Sequence, residues 1–141
     1  MVFGTFDILH PGHLHFFKQA RALANNPFLI VSIARDINVK KIKGVRPLLS
    51  EEQRLKGIHN TGLVNKVVLG NIQGYMSHIL KEKPDVIALG YDQQAYTENL
   101  KTELRKRGLM VKIVRLKSHK PNRYKSSLLN ENRNRSRAGK Q

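Results

Sequence analysis

Phe28-Leu29-Ile30-Val31-Ser32-Ile33-Ala34 is the stretch on which the fold turns. It is continuously apolar and rich in β-branched residues, so it reads as a strand buried on both faces. Working outward, Val67-Val68-Leu69, Val86-Ile87-Ala88-Leu89 and Val111-Lys112-Ile113-Val114 repeat the signal, each closely followed by a turn or loop. Helical patterns lie between them. From Pro11 to about Ala24, Leu14, Phe17, Ala20 and Leu23 form a single stripe. Ser50-Glu51-Glu52-Gln53 has the form of a capping box and opens a helix to about Asn60. Further helices are predicted over about Gln73–Lys83, before Pro84, and about Thr97–Arg107, where Gly108 is a natural stop. Alternating strands and helices imply a parallel sheet with helices on both faces. The expectation is one α/β domain over residues 1–129, Rossmann-like and doubly wound, with a five-stranded parallel sheet. Residues 130–141, rich in Asn, Arg and Ser and without apolar period, read as a basic, disordered tail.

The bulk composition narrows the partners. The chain has 141 residues, enough to bury a continuous core, and 40% of them are hydrophobic. No apolar run approaches the roughly 18 residues of a membrane span. No basic segment precedes Val2-Phe3-Gly4, so no signal peptide is read there. Val2-Phe3 alone is short for the first half of a central strand, which suggests a truncated or misassigned start. Cysteine is absent, which excludes disulfides, zinc–thiolate sites and thiol nucleophiles and agrees with a cytoplasmic location. The formal net charge of +16 favours anionic partners: nucleotides, nucleic acid or an acidic membrane surface. A merely solvated basic surface is the plainer alternative.

Gly4-Thr5-Phe6-Asp7-Ile8-Leu9-His10-Pro11-Gly12-His13 occupies the turn from the first strand into the first helix. In a doubly wound sheet, ligands bind beyond the carboxyl ends of the strands. Gly4 allows close approach of backbone to a phosphate. Pro11 suits the first helical turn, and the free N–H groups of that turn face an anion. His10 and His13 flank Pro11-Gly12 and can address one ligand, their N–H groups holding phosphate oxygens as charge builds. A zinc site on the same pair is the rival reading, weakened by the lack of a nearby third ligand.

That segment resembles the GTFD…HxGH signature of the cytidylyltransferase-like nucleotidyltransferases. The likeness continues through Ala34-Arg35-Asp36, Val39 to Gly44, Pro47, Glu51 to Arg54 and Leu89-Gly90-Tyr91-Asp92-Gln93, which resemble the archaeal-type FAD synthases. The resemblance implies transfer of AMP from ATP to FMN, giving FAD and pyrophosphate. It implies ATP contacts at Gly4, Thr5, Phe6, His10, Pro11, Gly12, His13, Asp92, Tyr124, Ser126 and Ser127, with His10 and His13 catalytic. It places Asp7, and the cations Lys43, Arg46 and Arg54, at the acceptor and the phosphates, with Lys43 and Arg46 in a long loop after the second strand. A divalent cation, magnesium, would accompany the triphosphate, and a homodimer is suggested by the family alone. The Arg-Thr-x-Gly-Ile-Ser-Thr motif of many cytidylyltransferases is missing, which argues against, without removing, a cytidylyltransferase acting on a phosphoalcohol such as glycerol 3-phosphate. A basic nucleic-acid-binding module is the alternative of another class. With 6% aromatic residues and no RNA-recognition motif, it is disfavoured.

Overall fold

In the computed structural model, residues 1–70, 76–90 and 98–117 are described. Elements run β1 (Val2–Gly4), α1 (Pro11–Arg21), β2 (Ile30–Ile33), α2 (Asp36–Lys43), α3 (Glu51–Asn60), β3 (Lys66–Leu69), α4 (Met76–Glu82), β4 (Val86–Leu89), α5 (Glu98–Lys106) and β5 (Lys112–Arg115). All pairing is parallel, as the long apolar runs predict. β1 lies on β2 with Val2 opposite Val31, and β2 lies on β3 with Val31 opposite Val67. β4 pairs with β5, Ile87 opposite Ile113.

The expected single five-stranded sheet is instead a three-stranded sheet, β1-β2-β3, beside a two-stranded sheet, β4-β5. They meet where β1 faces β4. There the Met1 amine donates to Val86 O at 2.8 Å and Ala88 N–H donates to Met1 O at 3.0 Å. A strand as short as β1 offers little backbone for a second ladder, so the seam counts as contact rather than a shared sheet.

Alternation of side chains along the strands divides the core in two. Val2, Val31, Ile33 and Ala88 face one layer, closed by Phe17 and Ala20 of α1 and Ile58 of α3. Phe3, Ile30, Ile87 and Leu89 face the other, closed by Ile79 of α4 and Leu100 and Leu104 of α5. Each fully buried aliphatic side chain is worth roughly 1.5–3 kcal/mol relative to exposure. This two-sided burial is why the strands carry so few polar residues.

Several predicted boundaries shift. α1 stops at Arg21 with Ala22 as C-cap, leaving Leu23 outside the helix and 39% exposed. β2 begins at Ile30, and Phe28 before it is exposed at the amino end of the sheet. The capping box forms as predicted: Gln53 N–H donates to Ser50 Oγ and Ser50 N–H to Gln53 Oε1. α2 is a helix where a loop was expected. It presents just Val39 to the core and closes on Gly44, whose φ of +79° suits a residue without a Cβ. Lys43 is therefore its last residue, not a loop residue.

Candidate active site

β1 ends at Gly4, whose carbonyl accepts from Ala34 N–H at 3.0 Å and so stays within the sheet. The chain then reverses sharply. Phe6 adopts φ +50°, an uncommon value for a non-glycine residue. This turns its ring back over Gly4, where a Cβ would lie 2.7 Å from the ring carbons. The ring is buried, edge-on to His13 at 5.3 Å and packed near Phe16 and Phe17. The Phe6 ring fills the space a Cβ of Gly4 would take, and with that ring buried the backbone of Phe6 is what remains at the loop surface.

At the start of α1, His10 is the N-cap in extended conformation, and Pro11 takes the first turn. The Nδ1 of His10 accepts from Gly12 N–H at 3.1 Å. In the neutral ring that leaves the proton on Nε2, a donor. His10 O accepts from His13 N–H at 3.0 Å, and the two imidazoles stack at 3.8 Å between centroids, 25° from parallel. Burial lowers the pKa of His10. Burial pushes His13 down to about 4, and the adjacent His10 adds to the effect, while a backbone hydrogen bond at Ile8 opposes it. At neutral pH the pair is thus two uncharged rings. As neutral rings they can donate hydrogen bonds, and a triphosphate placed there would draw protons toward them.

Beneath the loop is a polar brace that the sequence reading assigned differently. Arg54, on α3, is 1% exposed. Its Nη1 donates to Thr5 O at 2.8 Å, its Nε to Leu49 O at 3.3 Å and its Nη2 to Asp36 Oδ1 at 2.6 Å. A guanidinium so committed ties the strand-to-helix loop to α2 and α3. Asp7 likewise accepts from Leu48 N–H and Leu49 N–H at 2.7 and 2.8 Å, fixing the α2–α3 connection. A carboxylate there suits backbone donors better than an anionic acceptor.

The network extends through Glu51. Asp36 N–H donates to Glu51 Oε1 and Glu51 N–H to Asp36 Oδ2, so each helix is capped by the other's first residue. Arg35 pairs with Glu51 at 3.5 Å and donates from Nε to Gly70 O at 2.7 Å, reaching the end of β3. The roles of Asp36 and Glu51 went unread in the sequence, although both lie in stretches that carry the family likeness.

Of the remaining predicted residues, Thr5 and Gly12 are half-buried at the loop, and Pro11, Lys43 and Arg46 are exposed. Asp92, Tyr124, Ser126 and Ser127 lie outside the described residues. Among the described residues no three His, Cys, Asp or Glu side chains gather to hold a metal ion. The carboxylates nearest the loop already bind Arg54 and backbone amides, so this donor set does not fit a resident cation. No helix among the described residues is long and apolar enough to cross a membrane.

The cytidylyltransferase-like family model matches residues 1–132. A FAD synthase of Methanosarcina barkeri is 49% identical over 113 residues, 80% of this chain and 78% of that protein. A FAD synthase of Methanothrix thermoacetophila is 45% identical over 121 residues, covering 86% and 82%. Among solved structures, a lipopolysaccharide core biosynthesis protein of Thermoplasma volcanium superposes with a TM-score of 0.75 at 36% identity, over 84% of this chain and 96% of that one.

Proposed function

Because the chain belongs to the cytidylyltransferase-like family, and FAD synthases are among its relatives, we infer that it is a nucleotidyltransferase that makes FAD from ATP and FMN. One observation carries the chemistry: a stacked pair of neutral imidazoles at the first turn of α1, directly beyond β1. An oxygen of the FMN phosphate attacks the α-phosphorus. The bond from that phosphorus to the bridging oxygen breaks, and pyrophosphate leaves. The acceptor phosphate is already largely ionised near neutrality, as phosphate monoesters with a second pKa of about 6 are, so no side-chain base is assigned. Positioning and charge stabilisation supply the rate.

His10 donates from Nε2 and, with His13, steadies charge on the triphosphate as the bond opens. Thr5 and Gly12 line the cradle beside them. Pro11 has no N–H and those of Gly12 and His13 are already given to His10, so the imidazoles rather than the first-turn amides meet the phosphates. Lys43 and Arg46, exposed on and after α2, draw the acceptor phosphate. Asp92, Tyr124, Ser126 and Ser127 keep their assigned ATP contacts on the strength of the family resemblance alone. A divalent cation enters with the triphosphate, held by phosphates and water rather than by a protein cage. The two bonds across the β1–β4 seam support treating the sheets as one doubly wound surface, with the switch point at that seam. Catalysis rests with residues 1–129, residues 130–141 are accessory, and a cytoplasmic homodimer completes the reading.

The test is a two-by-two assay of ATP and CTP against FMN and glycerol 3-phosphate, with magnesium present. FAD and pyrophosphate from ATP and FMN alone are expected, followed by the fall in flavin fluorescence. Turnover of CTP with glycerol 3-phosphate, and no FAD, would move the chain to the cytidylyltransferases.

A further inference from the structure

Exposed large apolar side chains are concentrated in one stretch of the described residues. Ile37, Ile42, Val45, Leu48 and Leu49 all stand out from α2 and the α2–α3 connection. Elsewhere exposure of this kind is scattered, at Leu23, Phe28 and Met110. Val45 and Leu48 are 67% and 65% exposed, and the backbone at Leu48 and Leu49 is fixed. Asp7 binds the N–H groups of Leu48 and Leu49, and Arg54 binds Leu49 O. Both grips come from the machinery that shapes the nucleotide loop. An exposed aliphatic stretch is thus anchored at Leu48 and Leu49 to that loop, with Lys43 and Arg46 interleaved in its sequence.

We propose that the ridge formed by Val45, Leu48 and Leu49 is the seat of the acceptor's flat apolar ring system, with Lys43 and Arg46 meeting its phosphate. The proposal rests on the FAD synthase reading and names a subsite within it. A flavin needs a broad apolar surface for the ring and a cation for the phosphate, and this stretch supplies both. Among the described phenylalanines none offers the ring a platform at this stretch. Phe3, Phe6 and Phe17 are buried, Phe16 packs against the core, and exposed Phe28 lies at the opposite, amino edge of the sheet. A second copy of the chain is a poorer occupant. A two-fold interface here would set Lys40, Lys41, Lys43 and Arg46 against the same cations of its partner.

The experiment compares the wild-type chain with Leu48→Asn and Val45→Asn, whose exposed side chains leave folding intact. Steady-state kinetics are run with FMN and with ATP as the varied substrate. FMN binding without ATP is followed by flavin fluorescence, with inorganic phosphate as competitor. Losing this apolar contact should raise the KM for FMN about tenfold and weaken FMN binding in proportion, on the scale of hydrophobic-pocket discrimination. The KM for ATP and competition by phosphate should hold within about twofold. FAD production by both variants with unchanged FMN KM would overturn the ridge and leave the parent reading intact. A change from dimer to monomer in the variants with unchanged FMN binding would overturn it too, giving the ridge to self-association. No FAD from the wild-type chain would overturn the parent reading, and the ridge with it.

Discussion

His13 joins two properties: it sits in the first turn of a helix, and its ring is neutral. Its pKa of about 4 reflects burial first and the stacked His10 second. An unfolded histidine titrates near about 6.5. Between those values the unfolded chain binds a proton that the folded chain refuses, so stability falls as pH drops from about 6.5 towards about 4. Melting temperature measured from neutral to acid pH should follow that slope, and His13→Gln should reduce it, the lowered His10 and His78 supplying what remains. An identical slope in the variant would remove His13 as its source. Activity tests the same residue differently. Replacing His10 or His13 with Ala should lower kcat about 10²–10³-fold, as loss of one transition-state donor does, without unfolding the chain. Gly4 makes a purely steric case. A Cβ there meets the Phe6 ring at 2.7 Å, and that ring is locked among Phe17 and the core. Gly4→Ala should therefore cost about 1–3 kcal/mol in chemical denaturation, the usual penalty for overpacking.

At the scale of elements, the Asp36–Arg54–Thr5 chain of contacts decides how α2, α3 and the nucleotide loop sit together. Arg54→Lys keeps the charge but cannot reach Thr5 O, Leu49 O and Asp36 with one ammonium. Arg54→Ala leaves a carboxylate and two carbonyls without their donor and should cost about 3–5 kcal/mol in urea unfolding, as breaking a buried ion pair does. Wild-type stability in the alanine variant would show the brace to be incidental. Much of this region was legible in the sequence, but not the brace at its centre. Periodicity and the capping residues located β2, α3 and β4 closely, since apolar runs and Ser50–Gln53 are local signals. α2 was missed because an eight-residue helix that buries Val39 alone has too thin an apolar stripe to separate from a basic loop. The bracing bonds of Arg54 and Asp7 were not legible because residue type reports a charge but not its direction. Their partners, Thr5 and Leu48, are distant in sequence, and only tertiary packing brings them together.

For the whole molecule the dominant fact is a formal net charge of +16, facing substrates that are themselves polyanions. Such a field gathers nucleotides from solution before any contact forms, and it weakens as salt shortens the screening length from about 30 Å at 0.01 M to about 8 Å at physiological strength. Substrate capture should therefore be more salt-sensitive than the chemical step. With potassium chloride raised over that range, kcat/KM for ATP should fall severalfold, while kcat at saturating ATP and FMN changes little. Arg133, Arg135, Arg137 and Lys140 contribute part of the field. Removing residues 130–141 should flatten the salt dependence and leave turnover at saturation intact. If kcat/KM is indifferent to salt, the positive charge is not used in capture. If removing the segment abolishes RNA retention without altering FAD synthesis at any salt concentration, that portion of the charge serves nucleic acid instead. Either result would separate the chemistry at His10 and His13 from the electrostatics of the rest of the chain.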